Sequence, residues 1–147
     1  NTKIILSLSD SFCVDRHRES FLELIDEYVD IVFCNESEVL SLFKKDKLGN
    51  CQGDLSSLCE LGVITLGSNG SIIINKNDIE VIMPINKGKV IDTTGAGDLY
   101  AGGFIHGLIN NHCLKKCGEL GSICAGHIIT QLGSRSNMDL KDLLREL

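Results

Sequence analysis

The sequence predicts an α/β fold in which helices cover a mostly parallel sheet that carries one antiparallel hairpin. Three observations predict it. Short β-branched runs alternate with stretches whose apolar residues recur at helical spacing. A polar turn, Asn75-Lys76-Asn77-Asp78, separates two further strand-like runs. Finally, the string Asp92-Thr93-Thr94-Gly95-Ala96-Gly97-Asp98 sets a glycine-rich turn between the apolar pair Val90-Ile91 and a helical repeat. Sheets covered in this way bind ligands at the carboxyl ends of their strands.

Taken in order, Lys3 to Leu8 is a β-branched and apolar run expected to form a central parallel strand, and Ser9 to Asp15 is expected to be a polar loop. Phe21, Leu24, Ile25 and Tyr28 repeat as one face of a helix, and Ile31 to Phe33 give a second strand ending at Cys34-Asn35. Glu36 to Phe43 is a short amphipathic helix with Val39, Leu40 and Phe43 inward. A charged loop from Lys44 to Gly53 leads to a helix over Leu55 to Leu61. Val63 to Leu66 is a strand, and Ser71 to Ile74 with Ile79 to Met83 make the hairpin. After Pro84, Val90-Ile91 read as a strand end, followed by helices near 98–109, 114–132 and 139–147. Asn35, Gly67 and Gly95 each follow a strand and are expected along one edge of the sheet.

With 147 residues, 43% of them hydrophobic, the chain can enclose a substantial core as a single unit, 1–147. Its formal charge of −6, with no basic stripe, argues against a nucleic-acid partner. No apolar run reaches the roughly 20 residues that a membrane helix needs, and the start lacks a signal-peptide layout, so a cytoplasmic protein with a small ligand is expected. The seven cysteines are an odd number set mostly in apolar patterns, so they should be reduced. His112, Cys113, Cys117 and His127 lack a C-x-x-C pair, which disfavours a zinc set. The opening Asn-Thr-Lys-Ile-Ile-Leu runs almost directly into a strand, as though cut from something longer.

Glycines at 95 and 97 let consecutive backbone N–H groups approach an oxyanion, and the helix dipole adds about half a positive charge at that end. Asp98 in such a place would repel phosphate. It is either a helix cap or a base that handles a proton while the amides handle negative charge. A dinucleotide fingerprint fails because position 100 is Tyr, and Glu119, the one acid at ribose-binding spacing, follows without an intervening strand. Asn35 and Glu38 lie three apart, fit either for a capping box or for holding Mg²⁺ through waters. Thr65-Leu66-Gly67-Ser68-Asn69-Gly70 is by itself an ordinary turn, of interest because a nucleotide could pass close to its backbone.

Together, D-T-T-G-A-G-D before an Ala/Gly-rich helix, N-x-x-E at Asn35 to Glu38, and a strand followed by G-x-x-G at Gly67 to Gly70 resemble the ribokinase (PfkB) superfamily of carbohydrate and nucleoside kinases. The resemblance runs over essentially the whole chain. Leu8 to Arg16 is similar to the bacterial adenosine-kinase-like branch. The resemblance implies a three-layer, Rossmann-type ribokinase-like fold of which this chain is the C-terminal part, and an ATP-dependent kinase of a hydroxymethyl group, with adenosine the leading acceptor and ribose or fructose next. It makes Asp98 the base and the amides of Gly95, Ala96 and Gly97 the anion hole. Asn35 and Glu38 become the Mg²⁺ and phosphate element, Thr65, Gly67 and Gly70 the nucleotide loop, and Ser122 the adenine contact. Asp92, Thr94, Ile128, Gln131, Gly133 and Asn137 fall where some members bind a monovalent cation, usually K⁺. Members are roughly twice as long, so the N-terminal half with the sugar-gripping glycine pair and the lid is expected to be missing. The piece alone should be nearly inactive and should self-associate or seek its missing half. The competing expectation is a nucleotide-binding module without catalysis.

Overall fold

The computed structural model describes residues 2–76, 78–85 and 88–144. They divide into two compact units, Asn1–Leu66 with Ile72–Glu80, and Gly67–Ser71 with Val81–Leu147.

The first unit holds most of a five-stranded sheet of order β1 (Ile5–Ser7), β2 (Ile31–Asn35), β3 (Leu61–Thr65), β4 (Ser71–Asn75), β5 (Asp78–Ile82). β1, β2 and β3 run parallel, with Ile5 opposite Ile31 and Asn35 opposite Thr65. β4 begins six residues after β3 ends and β5 begins three after β4 ends, too close for a parallel crossover, so β4 and β5 join antiparallel and the sheet is mixed. Ile31 to Cys34 and Leu61 to Ile64 are buried without alternation, as in strands covered on both faces. β1 lies at the end of the strand order, with Ile4 and Ile5 48% and 38% exposed, so it is an open apolar edge among the described residues.

Helices α1 (Ser11–Arg16), α2 (Arg18–Tyr28), α3 (Glu36–Phe43) and α4 (Gln52–Leu58) belong to this unit. Its core gathers Leu8, Val14, Ile25, Val32, Val39, Leu42, Leu55 and Ile64, all fully buried. Helix α1 corrects the loop expected over 9–15. The Asp10 side chain caps it by accepting from the Cys13 N–H at 2.8 Å, and Val14 points into the core. Six residues are too few to print a helical period. On α3 the inward residues are Val39 and Leu42, with Leu40 and Phe43 half-buried. α4 begins at Gln52 rather than Leu55 and stops at Leu58, because the chain must turn extended at Cys59 to enter β3. There β3 passes so near α4 that a methyl group on Gly62 would lie 2.5 Å from Leu55 Cδ2.

The second unit contains α5 (Ala96–Ile109), α6 (Leu114–Ile128) and α7 (Leu140–Leu144). The last residues of the third expected helix, 145–147, lie outside the described residues. α5 packs on α6 through glycine. A methyl group on Gly103 would lie 2.6 Å from the Leu120 carbonyl oxygen and 2.9 Å from Cys124 Sγ, and one on Gly107 would lie 2.8 Å from Cys117 Sγ. α6 ends at Ile128 instead of 132, where the Thr130 hydroxyl donates to the His127 carbonyl at 2.7 Å. Val90 and Ile91 are not a strand end. They are 49% and 60% exposed, and the Ile91 N–H bonds to the Ile129 carbonyl just past the α6 terminus, not to a neighbouring strand.

Candidate functional site

In the first unit, the carboxyl ends of β2 and β3 bring Asn35 and Thr65 into register, and the Thr65 hydroxyl donates to the Cys34 carbonyl at 3.4 Å. Asn35 then caps α3. Its Oδ1 accepts from the Glu38 N–H at 2.9 Å and the Ser37 hydroxyl at 2.7 Å. Glu38 answers with both carboxylate oxygens, Oε2 accepting from the Asn35 N–H at 2.9 Å and Oε1 from the Asn35 amide at 2.7 Å. The capping box is therefore complete. Glu38 is only 5% exposed. Burial pushes its carboxyl above the ordinary value, against the Asn35 N–H that pulls it down, and the nearby Asp10 carboxylate adds to the rise. A buried acid whose oxygens already accept N–H bonds suits contact with a cation through water more than direct ligation.

In the second unit, Gly95 forms the N-cap of α5 in left-handed geometry, φ +80°. A methyl group there would also meet Ser134 Cβ at 2.7 Å, so both conformation and space require glycine. The Ala96 N–H bonds to the Thr93 carbonyl at 3.2 Å. Among the described residues the N–H groups of Gly95, Gly97 and Asp98 have no partner, as expected for the first turn of a helix. Gly97 has open space where a side chain would stand. Asp98 is exposed, makes no cap, and has no hydrogen-bond or ion-pair partner among the described residues. An exposed acid thus stands without a partner next to amides directed away from the helix.

Just before this turn, Asp92 staples two loops. Its Oδ1 accepts from the Thr94 N–H at 2.9 Å and the Thr94 hydroxyl at 2.7 Å, and its Oδ2 from the Gly133 N–H at 2.9 Å. These bonds, Thr94 first, hold the Asp92 carboxyl below the ordinary value. Gln131 accepts from the Asn137 N–H at 3.3 Å and donates to the Arg135 carbonyl, and the Ile128 carbonyl accepts from the Gln131 N–H at 3.3 Å. Asp92, Thr94 and Gly133 are therefore brought together directly, and Ile128, Gln131 and Asn137 join them through the same loop. Among the described residues no three His, Cys, Asp or Glu side chains cluster as a metal site.

Gly67 and Gly70 close a tight turn, with the Gly70 N–H on the Gly67 carbonyl at 3.2 Å and φ of +57° and +87°. Ser122 is 5% exposed and donates to the Met83 carbonyl at 3.4 Å. The sequence motifs do not point to Ser134, whose Cβ and Cα close over Gly95, or to Ser71, which pairs with Tyr100. Neither belongs to a motif; only contacts between segments far apart in the chain reveal them.

With that geometry in view, residues 1–141 match the family described as pfkB family carbohydrate kinase, and the chain belongs to that family. It is 33% identical over 130 residues to a nucleoside kinase of Methanocaldococcus jannaschii, covering 88% of this chain and 42% of that one. The crystal structure of adenosine kinase from Sinorhizobium meliloti superposes with a TM-score of 0.95 at 38% identity, covering 98% of this chain and 44% of that one. A probable sugar kinase from Rhizobium etli gives 0.96 at 37% identity, covering 99% and 44%. The fold is ribokinase-like, and the chain spans less than half the length of these relatives. Among the described residues no helix is long and apolar enough to cross a membrane.

Proposed function

We propose that residues 1–147 are the C-terminal, nucleotide-binding and catalytic part of an ATP-dependent kinase that phosphorylates a hydroxymethyl group of a nucleoside or sugar. Adenosine is the leading acceptor, with ribose or fructose next. The observation that carries this reading is the first turn of α5, where Asp98 stands exposed and unpartnered beside the open N–H groups of Gly95 and Gly97.

Phosphoryl transfer asks the protein mainly for in-line placement and charge neutralisation. Asp98 takes the proton of the acceptor hydroxyl as the acceptor oxygen bonds to the γ-phosphorus of ATP, while the bond from that phosphorus to the bridging oxygen breaks and ADP leaves. The N–H groups of Gly95 and Gly97, with Ala96 between them, face the charge on the transferred group, supported by the α5 dipole. The Ala96 N–H joins them only by giving up its long bond to Thr93. Asn35 and Glu38 hold Mg²⁺ through waters, in keeping with a buried acid already committed to its cap. Thr65, Gly67 and Gly70 form the nucleotide loop, and Ser122 stands near the adenine. Asp92, Thr94, Ile128, Gln131, Gly133 and Asn137 frame a monovalent cation, K⁺, mostly through backbone oxygen.

The names and sequence likeness of the nucleoside and adenosine kinases above support the nucleoside acceptor. Their length supports an additional N-terminal half that supplies acceptor contacts and a lid, without which this chain has little activity. The open β1 edge suits that half, or a second copy of the chain. Replacing Asp98 with Asn in the full-length protein tests the reading. A catalyst should lose at least about a hundredfold in kcat while still binding ATP. A nucleotide-binding module would show no phosphoryl transfer before or after the change.

A further inference from the structure

Tyr100 breaks the dinucleotide pattern, and the chemistry above gives it no task. It lies on α5 two residues after Asp98, 3% exposed, its ring stacked on Phe104 at 6.3 Å between centroids. Its hydroxyl is 2.6 Å from Ser71 Oγ, and Ser71 is fully buried. Among the described residues each hydroxyl has the other as its hydrogen-bond partner. Burying two hydroxyls that satisfy one another adds little over burying two apolar groups. What the pair does supply is direction, because a hydrogen bond is far more selective in distance and angle than an apolar contact.

That direction matters because of what each residue is joined to. Ser71 follows Gly70, whose conformation is tightly bounded: a methyl group on Gly70 would lie 2.0 Å from the Ile82 carbonyl oxygen, and its N–H closes the turn on Gly67. The turn from Gly67 to Ser71 is thus stiff. Tyr100 is equally confined, since a methyl group on Gly121 of α6 would lie 2.8 Å from the Tyr100 carbonyl oxygen and 3.1 Å from its ring. A rigid turn and a rigid helix meet at one hydrogen bond.

We propose that Tyr100 is a positioning residue: through Ser71 its hydroxyl fixes the Gly67–Gly70 turn relative to the first turn of α5, so that a nucleoside triphosphate held at the turn presents its phosphate chain in register with Gly95, Gly97 and Asp98. This rests on the kinase reading above and adds a residue to it.

The test uses the full-length protein with Tyr100→Phe, Ser71→Ala and the double variant, comparing KM for MgATP, KM for the acceptor, kcat, and direct binding of a fluorescent ATP analogue. Each single variant should weaken both ATP constants by about fivefold or more, with acceptor KM within about twofold, and the double variant should be no worse than the weaker single, because both break one link. A merely structural pair would lower the thermal midpoint and leave the ATP constants within about twofold, which overturns the proposal. Loss of folded circular dichroism in both singles overturns it as well; if only one fails to fold, the other decides. Asp98→Asn is measured alongside. Full turnover in that variant would remove Asp98 from the role of base, and a parent protein without phosphoryl transfer would sink the kinase reading, while the binding arm with the analogue would still report on Tyr100 by itself.

Discussion

Asp92 and Gly133, 41 positions apart, are joined at 2.9 Å by a backbone N–H donating to a carboxylate oxygen, and the same carboxylate holds Thr94 with its other oxygen. One side chain thereby ties the segment leading into α5 to the loop leaving α6.

Because these bonds depress the Asp92 carboxyl, its contribution to stability is present above the ordinary carboxylate value of about 3.9 and fades as pH falls through the lower folded value. In the full-length protein, Asp92→Asn should lower the thermal midpoint at neutral pH. The gap between variant and parent should narrow as pH falls below about 4. A gap that stays constant throughout the acid range would refute the assignment.

Glu38 should slope the other way. Burial raises its carboxyl in the folded chain, so its contribution is fully present below the unfolded value of about 4.3 and is lost as pH rises through the folded value. Removing the acid as Glu38→Ala deletes that slope while costing about 1 kcal/mol for the lost half of the capping box. Denaturant melts at pH 4 and pH 7 measure both effects, and an unchanged pH slope in the variant would contradict this account of Glu38.

Gly95 and Gly97 separate folding from chemistry. Gly95→Ala meets a left-handed φ and the Ser134 side chain, and should destabilise by about 2 kcal/mol or more. Gly97→Ala meets open space inside a helix and should leave stability within about 1 kcal/mol of the parent, or raise it. If an anion approaches these amides closely, Gly97→Ala nevertheless loses turnover. Unchanged kcat in a well-folded Gly97→Ala protein would move the phosphate elsewhere.

The packing of α5 on α6 allows a contrast one residue apart. Gly103→Ala drives a methyl group into the Leu120 carbonyl and should cost about 1–3 kcal/mol by overpacking. Gly102→Ala points into open space and should be neutral or stabilising by up to about 1 kcal/mol. Equal denaturation midpoints for the two variants would show that the helices can move apart freely.

What could be read from the sequence followed the strength of the local pattern. Glu36 to Phe43 is legible to the residue because an N-cap and its Glu partner mark its start, although Leu42, rather than Leu40 or Phe43, joins Val39 on its buried face. β2 and β3 were visible as apolar runs, although their ends required the register of neighbouring strands. Helix α1 was hidden, since one buried valine and one cap carry it. Val90-Ile91 misled because β-branched residues also occur in extended loops, and their backbone partner, Ile129, lies far along the chain. At the site the glycine string marked the α5 turn by itself. The Asp92 to Gly133 bond, the Ser134 contact and the Tyr100 to Ser71 pair depend on chain returns that no local period encodes.

The sulfurs of Cys117 and Cys124 rest against glycine backbone across the α5 and α6 seam, and burial pushes both thiols above their ordinary range. Cys113, by contrast, is exposed. An alkylating probe should therefore label Cys113 promptly and reach the two seam cysteines only when the helices part. The rate of that slower modification is a built-in clock for how often the seam beneath the glycine turn opens, readable by mass spectrometry without any engineered label.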